Sequence, residues 1–178
     1  MEVNNRQMEK ILVIGPSGAG KSYFARRLGE ITKIPVHHLD NIFWRNDRTH
    51  IPRDEFDAKL NELLRSEHWI IDGDYSRTYE VRMHACDTIF FLDYPLELCM
   101  EGARSRIGQP RPDLPWVEDC FDPEFQQWIR NWFQTTLPAL RTLLNKYRTT
   151  KTIITFTSRN EADAYLSNLS ATTCSVSN

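Results

Sequence analysis

Gly15-Pro16-Ser17-Gly18-Ala19-Gly20-Lys21-Ser22 is an octapeptide of the form G-x-x-x-x-G-K-[ST]. The residues before it, Ile11-Leu12-Val13-Ile14, form a short apolar run of the kind found in strands that are buried on both faces. After it, Phe24, Ala25 and Leu28 recur at helical spacing. Because the octapeptide lies between a predicted strand and a predicted helix, it predicts a phosphate-binding loop, the P-loop.

The residue types of the P-loop suit a triphosphate. Glycines let backbone N–H groups curve around phosphate oxygens, and the helix that follows directs its positive dipole end at the same anion. We expect the whole octapeptide to bind ATP, with Lys21 at the β- and γ-phosphates and the Ser22 hydroxyl on Mg²⁺. We also expect Lys21 to lie on a solvent-facing loop rather than in the core.

Length and charge restrict the function classes. A chain of 178 residues is long enough for one domain with a sizeable core, so we expect a single domain over 1–178. The net charge of −2 gives no electrostatic footprint for nucleic acid, so direct nucleic-acid binding is not expected. The chain has 16 arginines and 6 lysines, and the planar arginine side chain suits bidentate phosphate contacts.

Cysteine spacing and hydropathy indicate a reducing compartment. The four cysteines form no C-x-x-C pair, and Cys86 and Cys99 lie in apolar surroundings typical of core thiols. Residues 1–9 are polar, without the apolar region of a signal peptide, and there is no 18-residue apolar run. We therefore expect a cytoplasmic protein without a membrane partner, either a monomer or a homodimer.

Strand and helix patterns alternate along the chain. Apolar runs predict strands at about 11–14, 36–39, 69–71, 88–92 and 151–156. Helical periodicity predicts helices at about 21–30, 53–66, 79–85, 95–107, 125–147 and 160–169. This alternation predicts an α/β fold, a parallel sheet with helices on both faces, with a core over 10–169 and a frayed polar tail over 170–178.

Three aspartates, Asp40, Asp72 and Asp93, each follow a predicted strand. Ligands of parallel α/β sheets bind at the carboxyl ends of the strands, so one of these carboxylates should share the Mg²⁺ with Ser22. Asp72 and Asp93 both fit this position by local pattern. Asp93 precedes Pro95 in a good helix start and is interpreted as a cap, which favours Asp72 for the metal.

The segment 108–123 contains four prolines and one glycine, which predicts a long loop that acts as a lid. Arg104, Arg106 and Arg111 flank or begin it, and Arg77 follows Asp72 on the same side of the predicted sheet. These four arginines are candidates for stabilising the transferring phosphoryl group. The lid arginines should repel one another until a triphosphate supplies counter-charge.

An aromatic stripe follows the lid. Apolar side chains recur at helical spacing at Phe125, Trp128, Ile129, Trp132 and Phe133. We interpret this stripe as core packing rather than as a binding surface.

These motifs together resemble the nucleoside monophosphate kinase superfamily, which includes adenylate kinase. Within it, the segments His38–Trp44, Trp69–Ser76 and Arg111–Asp113 resemble the bacterial topology modulation protein family. The resemblance covers about residues 10–169. The aspartate after the second strand departs from adenylate kinases and is closer to kinases of hydroxyl groups, such as shikimate kinases.

The resemblance implies a P-loop NTPase three-layer sandwich with a five-stranded parallel sheet in the order 2-3-1-4-5. It places Arg77 at the acceptor side, Arg104 and Arg106 in the lid, and Ser158 and Arg159 near the nucleotide base. The matching segments also imply an acceptor site at Asp40, Trp44, Asp72, Tyr75 and Arg77.

The leading functional hypothesis is an ATP- and Mg²⁺-dependent phosphotransferase of the nucleoside monophosphate kinase type with a small-molecule acceptor. A second hypothesis keeps the same donor site and makes Asp40 the general base for an acceptor hydroxyl. A third is a nucleotide-responsive regulatory protein linked to DNA topology.

Overall fold

The computed structural model describes residues 8–176, with side chains up to residue 172. Five strands form one sheet, and every pairing is parallel. Their bounds are β1 Lys10–Ile14, β2 Val36–His38, β3 Trp69–Asp72, β4 Thr88–Leu92 and β5 Thr152–Phe156. The order across the sheet is β2-β3-β1-β4-β5, so the predicted fold class and strand order are confirmed.

The central strands are apolar because helices cover both of their faces. β3 and β4 are buried at every residue, and β1 is buried from Ile11 onward. The register places Val13 opposite Asp72 in β3 and opposite Phe90 in β4. The loop after β1 therefore emerges between the ends of β3 and β4, in the middle of the sheet.

Eight helices surround the sheet in the described part of the chain. They are α1 Lys21–Thr32, α2 Leu39–Phe43, α3 Arg53–Leu64, α4 Tyr79–Ala85, α5 Leu96–Ser105, α6 Pro123–Asn131, α7 Leu137–Tyr147 and α8 Arg159–Val176. A 3₁₀ turn, Ser76–Thr78, precedes α4, and a π-helical turn, Trp132–Thr136, joins α6 to α7. None of the helices among residues 8–176 has the length and apolarity needed to cross a membrane.

The core divides into two apolar layers, one on each face of the sheet. On one face, Leu12 and Ile71 pack with residues of α3, α4 and α7. On the other face, Ile11 and Ile70 pack with residues of α1, α5 and α8. Neighbouring residues of one strand thus enter opposite layers, as strand geometry requires. Cys86 and Cys99 are buried free thiols, one in each layer, as predicted.

Three local predictions are corrected. β2 ends at His38, because Leu39 already begins α2. Asp93 does not cap α5: Pro95 occupies the N-cap position, and the Asp93 carboxylate pairs with Arg141 at 2.9 Å. α8 continues to Val176, so the segment predicted as a frayed tail is helical as far as the structure describes it.

Candidate active site

The P-loop connects β1 to α1 and packs against the backbone of α5. Gly18 has a φ of 82°, and a Cβ atom there would lie 1.9 Å from the Cys99 carbonyl oxygen. A Cβ atom on Gly102 of α5 would in turn lie 2.1 Å from the Gly18 carbonyl oxygen. The two backbones meet at these glycines, which explains the need for glycine at Gly18.

Lys21 is buried, with 9 % of its surface exposed, contrary to the expectation of a solvent-facing side chain. Its Nζ atom donates a hydrogen bond of 2.9 Å to the Pro16 carbonyl oxygen, so the side chain folds back over the P-loop. Burial lowers the pKa of the Lys21 ammonium, while the carboxylates of Asp74, Asp72 and Asp40 oppose that shift. The ammonium group lies at the floor of the site among these carboxylates.

Ser22 and Asp72 are in direct contact. The Ser22 hydroxyl donates to Oδ2 of Asp72 at 2.6 Å, and Oδ1 of Asp72 lies 2.5 Å from Nδ1 of His38. Burial alone would lower the pKa of His38, but the hydrogen bond and charge of Asp72 raise it above its ordinary value. His38 thus fixes one carboxylate oxygen of Asp72, while the other faces the P-loop serine.

Asp40 lies in the first turn of α2 and faces the same cavity. Its Oδ1 atom accepts a hydrogen bond of 2.7 Å from the Tyr75 hydroxyl. Burial raises the pKa of the Asp40 carboxyl, and the Asp72 charge acts in the same direction. A carboxylate with a raised pKa, held by one oxygen, suits proton transfer.

A buried arginine supports the turn after β3. The Arg82 guanidinium, fully buried, donates to the carbonyl oxygens of Gly73 (3.0 Å), Asp74 (2.5 Å) and Tyr75 (3.1 Å). Burial lowers the pKa of Arg82 to about 10. Since Asp72 and Tyr75 flank this turn, Arg82 positions both side chains without lining the cavity itself.

Two side-chain donors hold the Asp74 carboxylate. Its Oδ1 atom accepts from the Tyr79 hydroxyl and, at 2.9 Å, from Nε1 of Trp132. Trp132 begins the π-helical turn, a feature that often occurs where a helix must place a side chain at a functional site.

The proline-rich segment is a loop between α5 and α6, and it lies over α1 and α2. Arg111 pairs with Asp113 at 2.9 Å and with Glu118 at 3.2 Å, and Arg106 pairs with Glu118 at 3.0 Å. Asp113, buried, also pairs with Arg26 of α1 at 3.3 Å. The lid's own carboxylates thus supply counter-charge to Arg106 and Arg111 without a triphosphate, although burial and then the charge of Arg111 still lower the pKa of Arg106.

A cavity of about 900 Å³ lies between the P-loop, the ends of β2 and β3, the lid and α6. The structure brings together most of the residues predicted for the site. Those that line the cavity are Ser17, Gly18, Gly20, Lys21, Ser22, Asp40, Trp44, Asp72, Tyr75, Arg106 and Arg111. Gly15, Pro16 and Ala19 belong to the same loop but not to the cavity wall.

Four further predicted residues, outside the P-loop, also lie outside the cavity wall. Arg77 is half-exposed and pairs with Asp57 at 2.5 Å, and Arg104 stacks over the Phe121 ring, 5.7 Å from its centroid. Ser158 and Arg159 adjoin the start of α8, where Arg159 donates to the Leu98 carbonyl oxygen of α5 at 3.2 Å.

Several lining residues were missed by the sequence reasoning. Arg26, Asp74, Asp113, Trp116 and Glu118 reach the cavity from α1, the β3 turn and the lid. Asp74 and Asp113 lie within the segments Trp69–Ser76 and Arg111–Asp113 without having been assigned to the site, whereas Arg26, Trp116 and Glu118 lie in no motif. The aromatic stripe of α6 is divided: Ile129 and Trp132 are buried as predicted, whereas Phe125 and Trp128 line the cavity.

The chain is similar to proteins of known structure and to curated sequences. A shikimate kinase from Acinetobacter baumannii in complex with shikimate superposes with a TM-score of 0.59 at 20% identity, covering 93% of this chain and 95% of that one. A gluconokinase from Sinorhizobium meliloti 1021 gives a TM-score of 0.53 at 18% identity, covering 98% and 100%.

An adenylate kinase from Thermotoga maritima is 33% identical over 91 residues, which is 49% of this chain and 40% of that protein. The match thus spans well under half the length of this curated relative. No model of a known protein family matches the sequence. With the confirmed strand order, the structural likenesses show that the chain has the fold of P-loop kinases.

Proposed function

We propose that the protein is an ATP- and Mg²⁺-dependent phosphotransferase that phosphorylates a hydroxyl group of a small molecule. The observation that carries this proposal is the arrangement at the cavity floor. Lys21, Ser22 and Asp72 lie together there, and Asp40 faces the same cavity from the end of β2. The kinase names of the structural neighbours support the reaction class.

The floor of the cavity suits Mg²⁺. The Ser22 hydroxyl and the Asp72 carboxylate are hard oxygen donors, and their contact of 2.6 Å places both on the P-loop side of the site. Bound there, Mg²⁺ would neutralise phosphate charge and orient the terminal phosphates. His38 keeps the other oxygen of Asp72 in place.

Cationic side chains would bind the triphosphate by exchanging partners. Lys21 would give up the Pro16 carbonyl for a phosphate oxygen. Arg106 and Arg111 would give up Glu118 and Asp113 for the transferring group, since they are the arginines of the lid that line the cavity.

Asp40 would act as the general base. As the acceptor oxygen bonds to the γ-phosphorus, its proton passes to Asp40, and the bond from the γ-phosphorus to the β,γ-bridging oxygen breaks to release ADP. Tyr75 orients the carboxylate, and the pKa of Asp40, raised by burial, makes it a stronger base than an exposed aspartate.

A nucleoside monophosphate acceptor is the second candidate, favoured by the partial identity to adenylate kinase. A phosphate acceptor is already ionised and needs no base, so the two candidates differ in their dependence on Asp40.

The test is ADP formation by the purified protein with ATP, Mg²⁺ and a panel of hydroxyl compounds and nucleoside monophosphates. Asp40→Asn should lower turnover by about 10²- to 10⁴-fold while ATP affinity stays unchanged. Asp93→Asn is the matched control, since Asp93 also follows a strand but pairs with Arg141 outside the cavity. Full turnover of Asp40→Asn would contradict the base assignment, and no ADP formation with any acceptor would contradict the proposed function.

A further inference from the structure

The charges on the cavity wall are distributed unevenly. Each arginine among the described lining residues already pairs with a carboxylate: Arg26 with Asp113, Arg48 with Asp119, Arg106 with Glu118, and Arg111 with both Asp113 and Glu118. Lys21, the remaining cationic side chain of that lining, lies at the donor floor. An anionic acceptor would therefore have to displace a carboxylate from an arginine, and Arg106 and Arg111 are already assigned to the transferring group.

Two carboxylates of the cavity wall, Asp40 and Asp74, have no arginine partner in the described part of the chain. Asp40 accepts from the Tyr75 hydroxyl, and Asp74 accepts from the Tyr79 hydroxyl and the Trp132 indole. These donors are uncharged, and no described arginine side chain pairs with either carboxylate. Arg82, although close, directs its guanidinium to backbone carbonyls. Within the described residues, the carboxylates of Asp40 and Asp74 thus lack a direct ion pair, and Lys21 and Arg82 offset their charge only from a greater distance.

Aromatic rings also line the cavity. Trp44 meets Trp116 of the lid edge to face, with ring centroids 5.4 Å apart. Phe125 and Trp128 of α6 stack at 5.8 Å, and Trp128 is 43 % exposed although it lines the cavity. Aromatic faces beside carboxylates bind the apolar face of a hydroxylated ring or an ammonium group, and they repel anions.

We propose that the phosphoryl acceptor carries no negative charge and is a hydroxyl compound of the sugar, nucleoside, amino sugar or amino alcohol type. This inference rests on the proposed function and adds the charge class of its substrate. Hydroxyl or ammonium donors of such a molecule would satisfy Asp40 and Asp74, and its apolar face would pack on Trp44 and Trp116. A phosphate or carboxylate on the acceptor would face carboxylates that have no direct ion pair with a described residue.

The experiment compares acceptors in matched pairs that differ in charge. With ATP and Mg²⁺ saturating, ADP formation is measured for adenosine against AMP, for glucose and glucosamine against gluconate, and for ethanolamine against glycolate. A small-molecule cell extract, with [γ-³²P]ATP and ion-exchange separation of products, extends the panel. We expect neutral or cationic members to exceed their anionic partners in kcat/KM by about 10-fold or more.

A charge variant tests the assignment on the protein itself. Asp74→Asn keeps an oxygen to accept from Tyr79 and Trp132 but removes the charge, so the preference against anions should shrink by about 10-fold. Asp57→Asn removes the same charge outside the cavity, where Asp57 pairs with Arg77, and should leave the preference unchanged.

The possible outcomes distinguish failure of the inferred charge class from failure of the proposed kinase function. Phosphorylation of anionic acceptors at equal or higher efficiency than their partners, in the panel or in the extract, would overturn the charge class and leave the kinase function standing. An unchanged preference in Asp74→Asn would equally overturn it. Absence of any phosphorylated product would remove the proposed function and the inference together.

Discussion

Arg82 offers the most direct test of how the turn after β3 is held. We expect Arg82→Met, which keeps the volume of the chain but removes its donors, to destabilise the protein. The backbone carbonyls of Gly73 and Asp74 lose their partner, whereas that of Tyr75 keeps the donors of Thr78, and each unsatisfied polar group costs about 1–3 kcal/mol. Allowing for partial relaxation around the turn, the loss of unfolding free energy should be about 4 kcal/mol.

The assay is urea unfolding followed by circular dichroism, with thermal unfolding in parallel. At this chain length, 4 kcal/mol corresponds to a fall in Tm of about 8–16 °C. Turnover should fall as well, because Asp72 and Tyr75 flank the same turn. Arg77→Met is the control five residues earlier: its ion pair with Asp57 is half-exposed, so the change should stay below about 1 kcal/mol. Loss of less than about 1 kcal/mol in Arg82→Met would refute this account of the turn.

Three further outcomes are expected. Lys21→Ala should lower turnover by about 10³-fold or more with an unchanged far-UV spectrum, and near-normal turnover would refute the donor site. Arg111→Ala should lower turnover by about 10³-fold, whereas Arg104→Ala, outside the cavity wall, should stay near wild type; equal effects would contradict the placement of the lid. Burial would raise the pKa of Asp113, but Arg111 and other cationic neighbours lower it below the ordinary value of 3.8. The contribution of the Asp113 carboxylate to lid closure should therefore persist above pH 3.8 and be lost as the pH falls through the lowered pKa. Trp116 fluorescence should report the opening of the lid at low pH. Asp113→Asn should open the lid already at neutral pH, seen as faster hydrogen exchange in residues 108–123. Unchanged exchange would contradict a role of Asp113 in holding the lid closed.

Local patterns were sufficient to predict the sheet and the position of the P-loop beside Asp72. A P-loop between an apolar strand and an amphipathic helix has one structural context, and β3 and β4 are apolar throughout because they are buried on both faces. The aspartates at the ends of β2 and β3 then come together simply because parallel strands share one carboxyl edge. The contact of Ser22 with Asp72 follows from this geometry.

The turn after β3, the lid and the cavity-facing side of α6 depend on tertiary packing and were less predictable from the sequence. Arginine is usually exposed, so nothing in the sequence marks Arg82 as a buried support or Arg77 as a surface ion pair. Likewise, the lid carboxylates Asp113 and Glu118 meet arginines only once the loop has folded back. Helical spacing predicted the aromatic stripe but could not say that Phe125 and Trp128 face a cavity, since an apolar helix face can pack on the core or line a pocket.

The paired glycines at the P-loop and α5 restrict how this sequence can diverge. A side chain on Gly18 would collide with the backbone of α5, and one on Gly102 would collide with the backbone of Gly18 and with the Arg159 guanidinium. A substitution at either glycine alone would displace α5. The two glycines therefore cannot be replaced one at a time without disturbing the fold. The same interlock anchors α5 between Cys99 and Ala103 to the P-loop. Any swing of the lid must therefore pivot beyond Gly102, leaving the P-loop stationary while the lid opens.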